Sequence, residues 1–372
     1  MTDAPDIRIP AGLLPADGRF GSGPSKIPAA AVAALAAAPL GTNHRQAPVR
    51  DLVRRLRAGL RELWALPDGH EVLLGNGGAS QFWDVACACL AERRTEHLVF
   101  GEFSAKFASA ATRAPHLDDP VVVRAEAGAR PPPPAARADV DLYALTHNET
   151  STGVCAPVER PAADGLVAVD ATSGAGALPW DPAAVDAYYF APQKVFAADG
   201  GLWVAVCSPA ALERAGRLRD APGRWVPASL DLTLAAESNR LDQTANTPSV
   251  STLVLFVAQL EWLLANGGAA FAAARSAASA AVLYGWAERS DFAAPFVADP
   301  AYRSPVVGTV DLDPAVPAAT VAAVLRSNGI VDTEAYRKLG RNQLRVGMFP
   351  AVDTEDVRAL TSCIDHVVGR LT

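Results

Sequence analysis

From about residue 70 onward the chain alternates short apolar runs with stretches of helical periodicity, and that alternation narrows the fold more than any other feature. Parallel strands cannot be joined by a tight turn. They need a crossover long enough to carry a helix, so strand, helix and strand in repetition predict a parallel sheet flanked by helices. The strand candidates are residues 71–74, 97–100, 121–124, 141–146, 166–170, 187–190 and 202–206. Seven such runs predict an α/β domain with one large, mainly parallel seven-stranded sheet. Ahead of it the pattern is helical from about residue 29 to 66. Behind it, helices are predicted from Pro248 to Asn266 and over 269–287, punctuated by Gly267-Gly268. The last stretch, with strand candidates 306–310 and 343–348 and helices near 318–328 and 354–370, reads as a smaller C-terminal α+β domain. The expected division is an N-terminal segment 1–16, a large domain 17–262 and a small domain 263–372.

A chain of 372 residues, half of them apolar, is long enough to bury more than one core. A net charge of -7 with no basic stripe argues against a nucleic-acid partner. There is no run of 18 apolar residues and no cationic start followed by an apolar core, so neither a membrane span nor a secretion signal is predicted, and the expected location is the cytoplasm. The cysteines, Cys87, Cys89, Cys155, Cys207 and Cys363, are odd in number and lack zinc spacing. They read as buried reduced thiols, and no metal is expected. His70, His97 and His116 stand in polar, loop-like contexts and His366 on the last helix, which suggests packing or surface roles.

Chemistry concentrates at four places. Asp170 ends the apolar run 165–170, and Lys194 closes the aromatic-rich stretch Asp186-Ala-Tyr-Tyr-Phe-Ala-Pro-Gln-Lys194, with Asp199-Gly-Gly201 turning the chain back over the sheet just beyond it. A desolvated lysine loses part of its proton affinity and becomes nucleophilic enough to hold a carbonyl as a Schiff base. An aspartate at a neighbouring strand end is placed to pair with a protonated pyridine nitrogen, and the two together point to pyridoxal phosphate. Taken singly, each has a plainer reading: a solvated strand-end lysine, and an Asx turn in Asp170-Ala-Thr-Ser-Gly174. Gly75-Asn-Gly-Gly-Ala-Ser80, between a strand and the helical run 81–90, is either a phosphate cradle or a simple strand-to-helix turn. It matches neither the dinucleotide fingerprint nor a P-loop, which disfavours nicotinamide and nucleotide chemistry. Phe103 could stack on a planar ring or serve as a core aromatic. Arg345 lies within a strand pattern, where a guanidinium facing a cleft can clamp a carboxylate bidentately.

These residues resemble those of the phosphoserine aminotransferase family, fold-type I pyridoxal phosphate enzymes, and in particular its actinobacterial type. The resemblance runs nearly end to end through Gly21-Ser-Gly-Pro24, His44-Arg45, Gly77-Gly-Ala-Ser80, Asn148-Glu-Thr150, Asp170 with Ser173, Ala191-Pro-Gln-Lys194, Asn246-Thr-Pro248 and the stretch from Arg337 to Arg345. It implies that Lys194 carries the cofactor, Asp170 pairs with its ring nitrogen, Phe103 stacks on the ring and Thr150 bonds beside the ring hydroxyl, with Ser173 nearby. The cofactor phosphate would be held by Gly78, Ala79, Ser80 and Gln193, and by Asn246 and Thr247 from a partner subunit, which requires a homodimer. Arg345 would bind the substrate carboxylate. His44 and Arg45, with Arg337 across the interface, would hold the phosphate of 3-phosphohydroxypyruvate or phosphoserine, glutamate being the amino donor. Ala79 and Tyr336 stand where many relatives carry arginine and histidine, so part of the phosphate grip must come from elsewhere, with Lys338 and Arg341 as candidates. The alternative is another class V aminotransferase, of the alanine-glyoxylate type, with a non-phosphorylated acceptor. A cysteine desulfurase would need a thiol on a mobile loop, and none of the five fits.

Overall fold

The structure, a computed structural model, describes residues 5–371. The first four residues of the expected N-terminal segment and the last of the expected small domain lie outside them.

All seven strand candidates fall in one sheet. It comprises β1 Glu71–Asn76, β2 Thr95–Val99, β3 Val121–Arg124, β4 Leu142–Thr146, β7 Leu166–Asp170, β8 Ala187–Phe190 and β9 Leu202–Cys207, in the order β1-β9-β8-β7-β4-β2-β3. Between β4 and β7 a small antiparallel hairpin, β5 Asn148–Glu149 and β6 Val154–Cys155, was not legible in the sequence. The pairs β3-β2, β2-β4, β4-β7 and β7-β8 are parallel, whereas β9 runs antiparallel to both β8 and β1. The exception follows from chain length: the turn after β8 is too short to carry a crossover helix, so the next strand must return in the opposite sense.

The strands β4, β7, β8 and β9 are buried at every position, as a sheet covered on both faces requires. Successive side chains sort by the pleat: Val167, Val169, Tyr188 and Phe190 enter one core, Ala168, Ala187 and Tyr189 the other. The first core is roofed by α2 Ala47–Leu63 and α7 Val250–Ala265 through Val53, Leu56, Leu60, Leu253, Phe256 and Leu260. The second is roofed by α3 Ala79–Cys89, α4 Glu102–Arg113, α5 Pro209–Arg219 and α6 Leu232–Arg240. The helical run expected over 29–66 is broken. A short α1, Ala29–Ala34, ends in a 3-10 turn, and α2 starts only at Ala47, with a proline in its first turn. Pro39 and Gly41, the latter at φ +75°, divert the chain between them.

The C-terminal region packs α8 Gly268–Arg289, α9 Ala318–Ser327 and α10 Thr354–Leu371 on an antiparallel sheet of β10 Ala293–Pro295, β11 Val307–Leu312 and β12 Gln343–Gly347. Its core also takes in Ile9 and Phe20 from the start of the chain. His97 departs from the loop-like context expected for it: it sits inside β2, 1% exposed, with Nε2 2.9 Å from Thr95 Oγ1, and burial holds its pKa down to about 3. Among the described residues no single helix is long and apolar enough to cross a membrane.

Candidate active site

The parallel strands end on one side of the sheet, and the last residues of β4 and β7 help to line a cleft of about 490 Å³. Thr146 closes β4, Asp170 closes β7, and four residues beyond β8 the chain delivers Gln193 and Lys194 in a turn closed by Ala197 N–H on Lys194 O. From the β1 side come Gly78, Ala79 and Ser80 at the N-terminus of α3, and from the first turn of α4 comes Phe103. Eight of the residues singled out from sequence therefore line one cavity: Gly78, Ala79, Ser80, Phe103, Thr150, Asp170, Gln193 and Lys194.

Lys194 is 8% exposed and donates from Nζ to the carbonyl of Ser22 at 2.6 Å. Gly23 makes that approach possible, since a Cβ there would lie 2.2 Å from Nζ. Burial, and secondarily the charge of Arg345, lower the ammonium pKa to about 7, against the opposing pull of Asp170 and Glu149. Asp170, 5% exposed, accepts from Trp83 Nε1 at 2.9 Å, Thr172 N at 3.0 Å and Thr172 Oγ1 at 2.5 Å. Burial raises its pKa and these hydrogen bonds hold it back, so the pocket offers an oriented carboxylate that gains from a nearby cation.

Phe103 owes its place to Glu149. That carboxylate, fully buried in β5, accepts from Phe103 N at 3.1 Å, Ser104 N at 2.9 Å and Ser104 Oγ at 2.9 Å, and so caps the start of α4. The contact needs Gly101, where a Cβ would meet Glu149 Cγ at 2.2 Å. Ser173 lies behind the cleft wall, accepting from Asn148 Nδ2 and Thr150 Oγ1, both at 2.9 Å.

Arg345, opposite Thr309 in the β11-β12 ladder, reaches toward the cleft and donates from Nη1 to Thr150 O at 3.3 Å. Its Nε is buried without a partner, and its guanidinium carbon stands 5.3 Å from the centre of the Tyr336 ring. His44, Arg45, Asn246, Thr247 and Arg337 do not line this cleft. Thr247 Oγ1 lies 3.1 Å from His44 Nδ1, and Asn76 Nδ2 donates to Thr247 O at 2.7 Å, so these segments form one partly exposed cluster near the end of β1. Arg45 and Arg337 are exposed. Lys338 is engaged by Glu102 at 2.5 Å. Arg341, a candidate for the phosphate grip, is committed elsewhere: it pairs with Asp311 and stacks 4.4 Å from the Phe296 ring.

Trp83, Thr172, Gly23, Asn148, Thr146 and Lys106 also line the cleft and were not singled out. Thr172, Gly23 and Asn148 lie inside motifs that were. Trp83 gave no signal beyond an apolar helix face, and Lys106 was visible only as the residue one helical turn after Phe103.

The donor set fits pyridoxal phosphate. Asn148 Oδ1 and Gln193 Oε1 are buried without partners, Gly78 starts α3 with no side-chain cap over its free amides, and Asp170 and Lys194 line the same cleft. Among the described residues no cluster of His, Cys, Asp or Glu is arranged to hold a metal. All five cysteines are free; burial pushes the thiols of Cys87, Cys89 and Cys155 up to about 12, so none is a poised thiolate.

Residues 32–360 match the family model for class V aminotransferases. The phosphoserine aminotransferase of Nocardioides sp. is 58% identical over 378 residues, spanning 100% of both chains. Two solved phosphoserine aminotransferases share the fold. The Cytophaga hutchinsonii enzyme is 24% identical with a TM-score of 0.86 over 94% of this chain and 99% of its own. The Bacillus circulans enzyme is 20% identical with a TM-score of 0.83 over 94% and 98%.

Proposed function

Because the chain belongs to the class V aminotransferase family, we propose that it moves an amino group between glutamate and 3-phosphohydroxypyruvate, as a phosphoserine aminotransferase, with pyridoxal phosphate as cofactor. The observation that carries this reading is the buried pair Lys194 and Asp170 in one cleft, with Arg345 directed toward it. When bound, the cofactor supplies an aldehyde carbon and a ring that accepts electrons.

The chain's own residues do the rest. Lys194 Nζ, whose pKa burial lowers to about 7, would hold the cofactor as the nucleophile and would serve as the base that takes a proton from the substrate carbon and returns it. Asp170, oriented by Trp83 and Thr172, would keep the cofactor's ring nitrogen protonated. Phe103 and Thr150, the latter bonded to Ser173, would hold the cofactor ring, and Gly78, Ala79, Ser80 and Gln193 would hold its phosphate. Arg345 takes the substrate carboxylate with a fork whose Nε is free. One substrate leaves before the next binds, so ping-pong kinetics follow.

The second anionic group, phosphate or the side-chain carboxylate of glutamate, falls to His44, Arg45 and Arg337, and the cofactor phosphate receives Asn246 and Thr247 as well. None of these five lines the chain's own cleft, which supports a homodimer in which each subunit completes its partner's site. Five free cysteines support a reducing, cytoplasmic setting.

A coupled assay with glutamate and a set of keto acids tests the reading. The expected order is 3-phosphohydroxypyruvate far ahead of glyoxylate and pyruvate; a preference for either unphosphorylated acid would favour the alanine-glyoxylate type instead. The same assay run in reverse on 4-phosphohydroxythreonine, the pyridoxine precursor, is expected to give turnover, because it presents the same phosphate.

A further inference from the structure

Arg345 is held by very little. A guanidinium has five N–H donors, and this one, partly buried, makes a single long hydrogen bond at 3.3 Å and leaves Nε unpaired. What faces it is the ring of Tyr336, at 5.3 Å. That ring packs in turn against Phe103, with centroids 6.0 Å apart and planes tilted by 58°. Two bonds to α4 fix the segment carrying Tyr336: the ring contact with Phe103 and, two residues on, Lys338 to Glu102 at 2.5 Å. A cavity of about 250 Å³ between this segment and Phe100, Gly101 and Ser151 gives the ring room to swing away if either contact is lost.

We infer that Tyr336 is a positioning residue: its ring face orients Arg345 for the substrate carboxylate and ties that orientation to Phe103, the residue set to cover the cofactor ring. The inference rests on the reading of Arg345 as the carboxylate clamp. An aromatic face attracts a guanidinium and keeps it planar to the ring without consuming its N–H donors, so the fork stays available to a ligand. A hydrogen-bonding neighbour would occupy those donors instead. The phenol hydroxyl has no hydrogen-bond partner among the described residues, so the ring does the orienting.

The holoenzyme is titrated with glutarate, the dicarboxylate that resembles glutamate without its amine, and steady-state constants are measured beside it. Tyr336→Leu, smaller and apolar but without a π face, is expected to weaken glutarate binding and raise the KM for glutamate on the order of tenfold, with kcat changed far less. Tyr336→Phe is expected to match the parent within about twofold. A Leu variant that binds glutarate like the parent overturns the inference, and so does a Phe variant as weak as the Leu variant. Arg345→Gln is the control: if it keeps the parent's glutarate affinity, the carboxylate reading itself falls and takes the inference with it. If only Arg345→Gln loses affinity, the reading stands and the role of Tyr336 does not.

Discussion

At the scale of single residues, the site is organised by what burial does to Lys194. Its value of about 7 in the folded chain lies well below the 10.5 of a free lysine. Between those limits the unfolded chain binds a proton that the cofactor-free folded chain does not, so stability contributed here rises with pH from about 7 to 10.5 and is flat below 7. Lys194→Met removes the penalty. The cofactor-free variant is expected to melt above the cofactor-free parent at pH 7, with the gap closing as the pH approaches 10; a gap that does not change with pH would contradict this. Asp170 is governed from the other side, by Trp83 and Thr172. Trp83→Phe keeps the ring and deletes the donor, so cofactor affinity and kcat are both expected to fall, on the order of tenfold, as the carboxylate loses its orientation. The place of Lys194 and Asp170 in the cleft was legible because both close apolar runs, where a charge is conspicuous. That of Trp83 was not, because an indole on an apolar helix face looks the same whether its N–H is spent on a buried carboxylate or on nothing.

At the scale of elements, the first turn of α4 does more than connect β2 to β3. It presents Phe103 to the cleft, and it is capped not by a neighbour in sequence but by Glu149, 46 positions away. Glu149→Ala would leave the amides of Phe103 and Ser104 and the hydroxyl of Ser151 without their acceptor in a dry environment. A loss of about 3 kcal/mol in urea unfolding is expected, with weakened cofactor binding as Phe103 loses its place. Glu149→Gln, which keeps acceptor capacity on one oxygen, should lose less. The central strands of the large sheet were legible because strands buried on both faces are continuous apolar runs, and the expected ends of all seven fall within a few residues of the observed ones. The reversed sense of β9 was not, because apolar periodicity carries no direction. Nor was the 38–46 loop, where an alanine-rich composition hid the break at Pro39 and Gly41 behind a helical pattern. The β5-β6 hairpin escaped for a third reason: two-residue strands are too short for any period to register.

At the scale of the whole molecule, the C-terminal core closes over Ile9 and Phe20 from the other end of the chain, a contact that local patterns cannot announce. The same holds for completion of the site. His44, Arg45, Asn246 and Thr247 were assigned by resemblance, and the chain gathers them near the end of β1, outside its own cleft. If two subunits share each site, Lys194→Ala and Arg45→Ala are each inactive as homodimers, and unfolding and refolding them together is expected to restore about a quarter of the parent activity, through heterodimers with one intact site. No recovery, with dimers present by sedimentation, would mean that each subunit is self-sufficient. Fold and cleft both point to one covalent attachment, at Lys194. Reduction of the holoenzyme with borohydride, followed by digestion and peptide mass spectrometry, locates it directly: the reduced cofactor is expected on Lys194 alone, and its recovery on Lys26, Lys106 or Lys338, or on no lysine at all, would contradict the account.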